Sequence, residues 1–203
     1  MKILAFDTCL DKMYVVLRTE EKILTSKVVE NTESKYHSAF LISTIRDILK
    51  QNNTSPEELD AIGINIGPGS FTGIRACTTV ARVMAQQLNI KAVGVSSLEI
   101  LSKLGHNNPL VALDARKNKA YLFYGNEIKG AVEIKKVQEI IKNGNFEVIT
   151  DDRLQKIIGG ASYQRDDYPL GEILSEIVLD KLKNEGGNWA ELMPMYIQPP
   201  PMG

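Results

Sequence analysis

ILAFDTCLDKMYV at residues 3 to 15 and LVALDARKNKAYL at residues 110 to 122 align without a gap, Ile3 falling on Leu110. Ala5 matches Ala112, Asp7 matches Asp114, Lys12 matches Lys119 and Tyr14 matches Tyr121, and apolar residues face apolar residues at most other positions. Each stretch is an apolar run closed by an aspartate, then a polar turn, then a second run rich in β-formers, which is the pattern of a β-hairpin. Self-similarity at one fixed offset is a statement about architecture, and it predicts a chain of two related halves.

Outward from the first hairpin, residues 22 to 29 predict a third strand. Residues 37 to 50 carry helical periodicity, and residues 60 to 66 predict a buried strand. A second long helix is expected over 71 to 88, and a strand over 91 to 95. Ser96 and Glu99 have capping-box spacing for a third helix to about Leu104, and Ser55-Pro56-Glu57-Glu58 reads as a minor helix start. The first half is therefore βββαβαβα. The breakers Gly105-His106-Asn107-Asn108-Pro109 predict a domain boundary, with a first subdomain over 1–105 and a shorter second one of related topology over 106–203. In the second half, strands are expected near 110 to 115, 119 to 124 and 147 to 150, and helices near 135 to 142 and 170 to 184. An aperiodic tail holds Trp189 and ends at Pro199-Pro200-Pro201, which cannot join a helix. The fold class expected is α/β, a duplicated βββαβαβα architecture with the second copy abbreviated.

The chain has 203 residues, 43% of them hydrophobic, enough for real cores. Lys and Arg number 24 against 25 Asp and Glu, a formal net charge of -1, which argues against a dedicated nucleic-acid binder resting on a basic footprint. The start, Met1 to Asp7, has too few apolar residues before a carboxylate for a signal peptide, and no uncharged apolar run is long enough to span a membrane. Cys9 and Cys77 have no paired spacing and read as reduced thiols of a cytoplasmic protein, without a cysteine-built metal site.

Gly67-Pro68-Gly69-Ser70-Phe71-Thr72-Gly73-Ile74-Arg75 follows a strand and opens a helix. Glycines there allow positive φ and close backbone approach, and a helix N-terminus offers unpaired N–H groups to an anion. The spacing is neither that of a P-loop nor that of the dinucleotide fingerprint, so two readings stand: a phosphate or carboxylate cradle, or a tight strand-to-helix turn. Asp7 and Asp114 end equivalent strands. Facing one another across a cleft they would suit magnesium-nucleotide binding or acid/base work; alternatively each caps its own turn. Asp7, Gly69, Ser70 and Asp114 are thus the candidates for a vestigial nucleotide or anion site. His37 and His106 are the only histidines, so a His-x-x-x-His metal site is absent. Gly159-Gly160-Ala161-Ser162-Tyr163 reads as a plain loop, with a nucleotide-contacting turn as the alternative, and Lys117, Lys119, Lys129, Lys135 and Lys136 as a basic, solvated face.

The long helices are apolar beyond one face. Small residues on 71 to 88, among them Gly73, Ala76, Cys77, Ala81 and Ala85, permit close helix approach, and a partner interface is the preferred reading. The residues expected to carry it are His37, Phe40, Leu41, Ile45, Ile74, Ala76, Cys77 and Val80.

Ile3-Leu4-Ala5-Phe6-Asp7-Thr8, His37-Ser38, Asp60-Ala61-Ile62, the glycine loop 67–75 and Gly94-Val95-Ser96-Ser97-Leu98-Glu99 together resemble the TsaB (YeaZ) family, specifically over residues 1 to 105. Asp114-Ala115-Arg116 and Pro194-Met195-Tyr196 resemble later landmarks, with Gln198 where an arginine is more usual. The resemblance implies an actin-like, hexokinase-like fold of two subdomains. It also implies a noncatalytic role beside the paralogue TsaD, which transfers threonylcarbamoyl to adenosine 37 of tRNA, with the ATPase TsaE joining the pair. No cofactor, no metal and no transfer chemistry of its own are implied, and the chain is expected to form a homodimer where TsaD is absent. The rival from another class is an ATP-dependent phosphotransferase of the sugar or acetate kinase type, whose glycine-rich phosphate hairpins this chain lacks.

Overall fold

The computed structural model describes residues 1–32 and 36–197. The first hairpin is β1 (Lys2–Asp7) and β2 (Met13–Thr19), followed by β3 (Ile23–Val29), a 3-10 turn (His37–Phe40) and α1 (Leu41–Gln51). Then come a second 3-10 turn (Pro56–Glu58), β4 (Ala61–Asn65), α2 (Phe71–Leu88), β5 (Lys91–Val95) and α3 (Ser97–Ser102). The start expected at Ser55 is a single 3-10 turn, in which Glu58 Oε2 accepts the Ser55 N–H at 2.8 Å. The strands form one sheet in the order β3-β2-β1-β4-β5, antiparallel through β1 to β3 and parallel from β1 to β5.

The second copy repeats this element for element. It runs β6 (Pro109–Asp114), β7 (Lys119–Tyr124), β8 (Glu127–Glu133), α4 (Ile134–Asn143), β9 (Glu147–Thr150), α5 (Asp152–Ile158), β10 (Ala161–Ser162) and α6 (Leu170–Asn184). The second sheet, β10-β9-β6-β7-β8, has the strand order of the first. Both β2–β3 and β7–β8 carry a register shift, at Leu17/Arg18 and at Leu122/Phe123. The architecture is thus the duplicated actin-like one, and the abbreviation is local: β10 has 2 residues where β5 has 5, and α5 has 7 where α2 has 18. The sequence reading missed β8, α5 and β10. β8 is broken by Gly130 and mostly solvent-facing, and α5 is a short helix fixed by its cap, Asp151 Oδ1 accepting from the Arg153 and Leu154 N–H groups.

The ungapped alignment slips at the turn. Asp7 pairs with Tyr14, whereas Asp114 pairs with Ala120, so the second hairpin is one residue shorter. The helix-covered faces locate the slip: Leu4, Phe6, Met13 and Val15 correspond to Leu110, Ala112, Ala120 and Leu122, so Lys12/Lys119 and Tyr14/Tyr121 are equivalent positions and Ala5/Ala112 and Asp7/Asp114 are displaced by one. Because side chains alternate along a strand, that one residue puts Asp114, opposite Ala120, on the face covered by α4 and α5, whereas Asp7, opposite Tyr14, lies on the face covered by α6.

The chain divides into two compact units, Met1–Ser97 with Pro169–Met195, and Leu98–Tyr168 with Tyr196 and Ile197. This replaces the single cut expected at residue 105. Most of α3 leaves the first copy, and α6, the last helix of the second copy, packs on β1, β2, β4 and β5 of the first sheet. A Cβ on Gly63 would lie 2.2 Å from Val178 Cγ2, so glycine in β4 lets α6 lie close against the sheet, and Arg18 Nη1 donates to Ser175 Oγ at 3.2 Å. The first sheet is therefore covered on both faces. Leu4, Phe6, Val15 and Leu17 point toward α1 and α2, while Tyr14 and Val16 meet α6 at Gly171. Covering both faces is why these strands read as continuous apolar runs. A smaller core in the second unit gathers Leu110, Ala112, Leu122, Ile134, Val137 and Leu154. Among the described residues no helix is long and apolar enough to cross a membrane.

Glu147 at the start of β9 secures the segment before β6, accepting the His106 and Asn107 N–H groups at 2.7 and 3.1 Å. The Asn107 and then the His106 N–H groups hold its carboxyl below the usual value. A lowered folded value contributes stability above the unfolded pKa that is lost as pH falls through the folded one. The urea midpoint of Glu147→Gln should therefore lie below that of the parent at neutral pH, and the gap should close as pH falls below the ordinary carboxylate range. A gap independent of pH would contradict this assignment.

Candidate functional site

The glycine loop lies against the end of β1. A Cβ on Gly73 would sit 1.7 Å from the Thr8 carbonyl oxygen, and one on Gly69 2.3 Å from that of Cys9. Three donors around the start of α2 are used within the protein: the Ser70 N–H donates to Cys9 O at 2.8 Å, the Gly73 N–H to Ser70 Oγ at 3.2 Å, and the Ile74 N–H to Ser70 O at 2.8 Å. The loop makes a tight strand-to-helix turn with Ser70 as N-cap. Thr8 Oγ1 donates to Gly73 O at 2.7 Å and completes the clasp.

Asp7 is buried beneath this loop. Its Oδ1 accepts the Cys9 N–H, and its Oδ2 accepts from Asn65 Nδ2 at 3.0 Å. Asn65 Oδ1 in turn accepts from the Gly67 N–H at 2.8 Å and from Ser97 Oγ at 2.9 Å. The carboxylate thus ties the ends of β1 and β4 to the start of α3. Asp114, in the second unit, also engages its own turn. Oδ1 accepts the Arg116 N–H at 2.9 Å and Oδ2 accepts from Arg153 Nη1, while the Asp114 N–H donates to Asp151 Oδ2 at 2.6 Å. In both units the strand-ending aspartate organises the adjacent backbone, as the turn-capping reading expects.

Cys9 and Cys77, unrelated by spacing, are neighbours in space. With Asp7 they place ligand atoms within 4.8 Å of one another, all buried. Cys9 Sγ donates to Asn65 O at 3.1 Å, and Cys77 Sγ accepts the Thr8 N–H at 3.1 Å. Burial first, then the Cys77 and Asp7 side chains, pushes the Cys9 thiol well above its ordinary pKa, so it stands protonated and unreactive. A thiol reagent at neutral pH should modify Cys9 and Cys77 only as the chain unfolds; modification of either at the rate of a free thiol in native buffer would contradict this.

The remaining feature is the outer side of α1 and α2. Of the residues expected at an interface, Leu41, Ile45, Ile74 and Cys77 are at most 5% exposed. Leu41, Ile74 and Cys77 belong to the core of their own unit, which corrects the surface assigned from sequence, whereas Ile45, also packed in that core, lines an apolar groove together with Val80. Phe40, Ala76 and Val80 are half-buried; the His37 side chain and Gln198 lie outside the described residues. The most exposed apolar surface of α1 and α2 adds two positions to the expected ones, Ile42 at 70% and Val83 at 55%. They flank a groove of about 290 Å³ lined by Ile42, Ile45, Thr79, Val80, Val83 and Met84, almost wholly apolar. At the start of α2 Phe71, 43% exposed, carries the Arg75 guanidinium 4.0 Å from its ring centroid. The signal was present in the sequence, since Ile42 and Val83 are the apolar residues on the water-facing side of otherwise amphipathic helices.

Two βββαβαβα copies, with the last helix of the second returned to the first sheet, define a protein of the duplicated actin-like class. Within that class, the chain belongs to the family described as TsaD: tRNA N6-adenosine threonylcarbamoyltransferase, which it matches over residues 20–156. It is 32% identical over 124 residues to the tRNA threonylcarbamoyladenosine biosynthesis protein TsaB of Bacillus subtilis, covering 60% of this chain and 53% of that protein. To TsaB of Escherichia coli it is 27% identical over 165 residues, covering 78% and 68%. The match therefore spans about half the length of the first of these relatives. Among solved structures, YeaZ from Pseudomonas aeruginosa superposes with a TM-score of 0.71 at 21% identity, covering 96% of this chain and 99% of the other. A Pseudomonas aeruginosa protein described as similar to the peptidase YEAZ gives 0.75 at 21%, covering 97% and 99%.

Proposed function

We propose that this chain acts in the formation of threonylcarbamoyladenosine on tRNA as a noncatalytic partner of a TsaD-type transferase, in the cytoplasm, with a TsaE-type ATPase joining the pair. The observation that carries the reading is the apolar groove between α1 and α2 in a chain whose relatives are TsaB proteins. A partner built on the same duplicated fold would offer matching helices, and burying Ile42, Val80, Val83 and Met84 against them supplies the hydrophobic driving force of association. The noncatalytic part of the reading is supported by the clasp around Asp7, whose two oxygens are engaged in holding backbone and Asn65. It is supported too by a sequence whose two histidines, His37 and His106, cannot form the His-x-x-x-His pair that the family resemblance assigns to the transferase. No resident cofactor belongs to this reading. In isolation the same groove would pair two copies of the chain.

The test is reconstitution of tRNA modification from TsaD-type and TsaE-type subunits with this chain included or omitted. Product is expected only when the chain is present, and none from the chain alone. Undiminished product on omission, or threonylcarbamoyl transfer by the isolated chain, would overturn the reading.

A further inference from the structure

The turn between β6 and β7 holds three consecutive non-glycine residues in the left-handed region: Arg116 at φ 63°, Lys117 at 47° and Asn118 at 58°. The Lys119 N–H closes it on Arg116 O at 3.0 Å, and the Ala115 N–H donates to Lys119 O at 3.0 Å. Lys117 and Asn118 are thus the central pair of a hairpin turn whose geometry favours Asn-Gly. Long side chains occupy that region at a steric cost that glycine escapes, yet here two exposed cations stand where an uncharged residue would fold more easily. Strain of this kind marks a place to look for function.

A second observation converges on the same spot. The Ile134 N–H, at the start of α4, donates to Asn118 O at 3.1 Å, which fixes the helix N-terminus beside the turn. The first turn of α4 holds no acidic residue and presents exposed Lys135 and Lys136 instead. Cations there add to the positive end of the helix dipole, against the usual preference. Of the neighbouring carboxylates, Asp114 is engaged by Arg153, by its own turn and, at 3.6 Å, by Arg116, and Glu133 stands across the ladder from Lys119. Among the described residues no ion pair involves Lys117, Lys135 or Lys136, and the Arg116 side chain is 82% exposed.

We infer that Arg116, Lys117, Lys135 and Lys136 form a phosphate-contacting surface on the second unit that holds the RNA backbone of the tRNA substrate. This rests on the function proposed above and adds a direct contact to it. The chain is near-neutral as a whole, so positive charge gathered around this turn steers a polyanion toward it. The four positions carry no exposed apolar neighbour within the turn, unlike a membrane-surface patch, which interleaves basic with apolar residues. Phosphate contacts of this kind position the RNA without reading its sequence.

The experiment is titration of an unmodified tRNA transcript with the complex of the full chain and its TsaD-type subunit, at several salt concentrations. The parent is compared with a fourfold variant, Arg116→Asn, Lys117→Gly, Lys135→Gln and Lys136→Gln. Asparagine and glycine suit the turn, so the variant should melt no lower than the parent. Expected is a loss of at least ~10-fold in affinity near ~100 mM salt, and a log–log salt slope smaller by about one per lost phosphate contact. Calorimetry should give the same affinity for the TsaD-type subunit, since the groove lies on the first unit. An unchanged affinity and slope in a folded variant would overturn the inference. So would loss of binding to phosphatidylserine vesicles with tRNA binding intact. Should the two subunits fail to associate, the function proposed above falls instead, and the same titration with the chain alone still decides the RNA surface.

Discussion

Val83→Asp lowers the affinity of the chain for a TsaD-type subunit by at least ~100-fold, about 2.7 kcal/mol at roughly 1.4 kcal/mol per decade. Val83 is 55% exposed on the outer side of α2 and borders the apolar groove, so the substitution leaves the free unit folded. In the complex it puts an unpaired carboxylate into a desolvated contact, where a buried charge costs far more than the lost methyl groups. Ile157→Asp, at a 44% exposed position on α5 of the second unit, serves as the control and should leave affinity within ~3-fold. Isothermal calorimetry reads both. Equal affinities for parent and Val83→Asp would remove α2 from the interface.

Gly73→Ala has the largest effect on stability, a loss of at least ~3 kcal/mol. The new Cβ would stand 1.7 Å from the Thr8 carbonyl oxygen, a backbone atom that cannot move aside without dragging the end of β1. That carbonyl belongs to the segment through which Thr8, Cys9 and Asp7 hold the loop, so relief at Gly73 disturbs the whole clasp. Gly125→Ala is the comparison. It meets no atom, but sits at φ +59°, and should cost only about 1 kcal/mol from its backbone conformation. Denaturant unfolding measures the two, and a Gly73→Ala loss no larger than that of Gly125→Ala would refute the close-packing account.

The apolar runs of β1, β2 and β4 were legible because the sheet is covered on both faces, which leaves long stretches with no polar interruption to mislead. The ends of α2 were legible because Ser70 and the glycines before it are a local signal, and Asn89 closes the helix in the left-handed region. α6 was legible as a helix but not as a member of the first unit. Its buried residues Leu170, Leu174, Ile177 and Val178 specify an apolar face, and nothing local says which sheet that face meets. The repeat between the hairpins was real, yet two of its four identities arose across a turn one residue shorter in the second copy. The meeting of Cys9 with Cys77 was invisible for the same reason as the home of α6: it is set by β1 and α2 packing at long range.

The candidate site divided along the same line. Asp7, Gly69, Ser70 and Asp114 were found by motif, and Asp7, Ser70 and Asp114 hydrogen-bond the backbone beside them. The groove could be found only by knowing which side of α1 and α2 faces the sheet. Helical periodicity marks Leu41 and Ile74 as the stripe that packs inward, Ile45 and Val80 stand at its edge in the groove, and Ile42 and Val83 flank it on the exposed side.

The central claim is that this chain pairs with a TsaD-type subunit, and light scattering on an equimolar mixture resolved by gel filtration tests it most directly. A single species with the summed mass of one copy of each is the result expected. Two species at the positions each protein takes alone would contradict it.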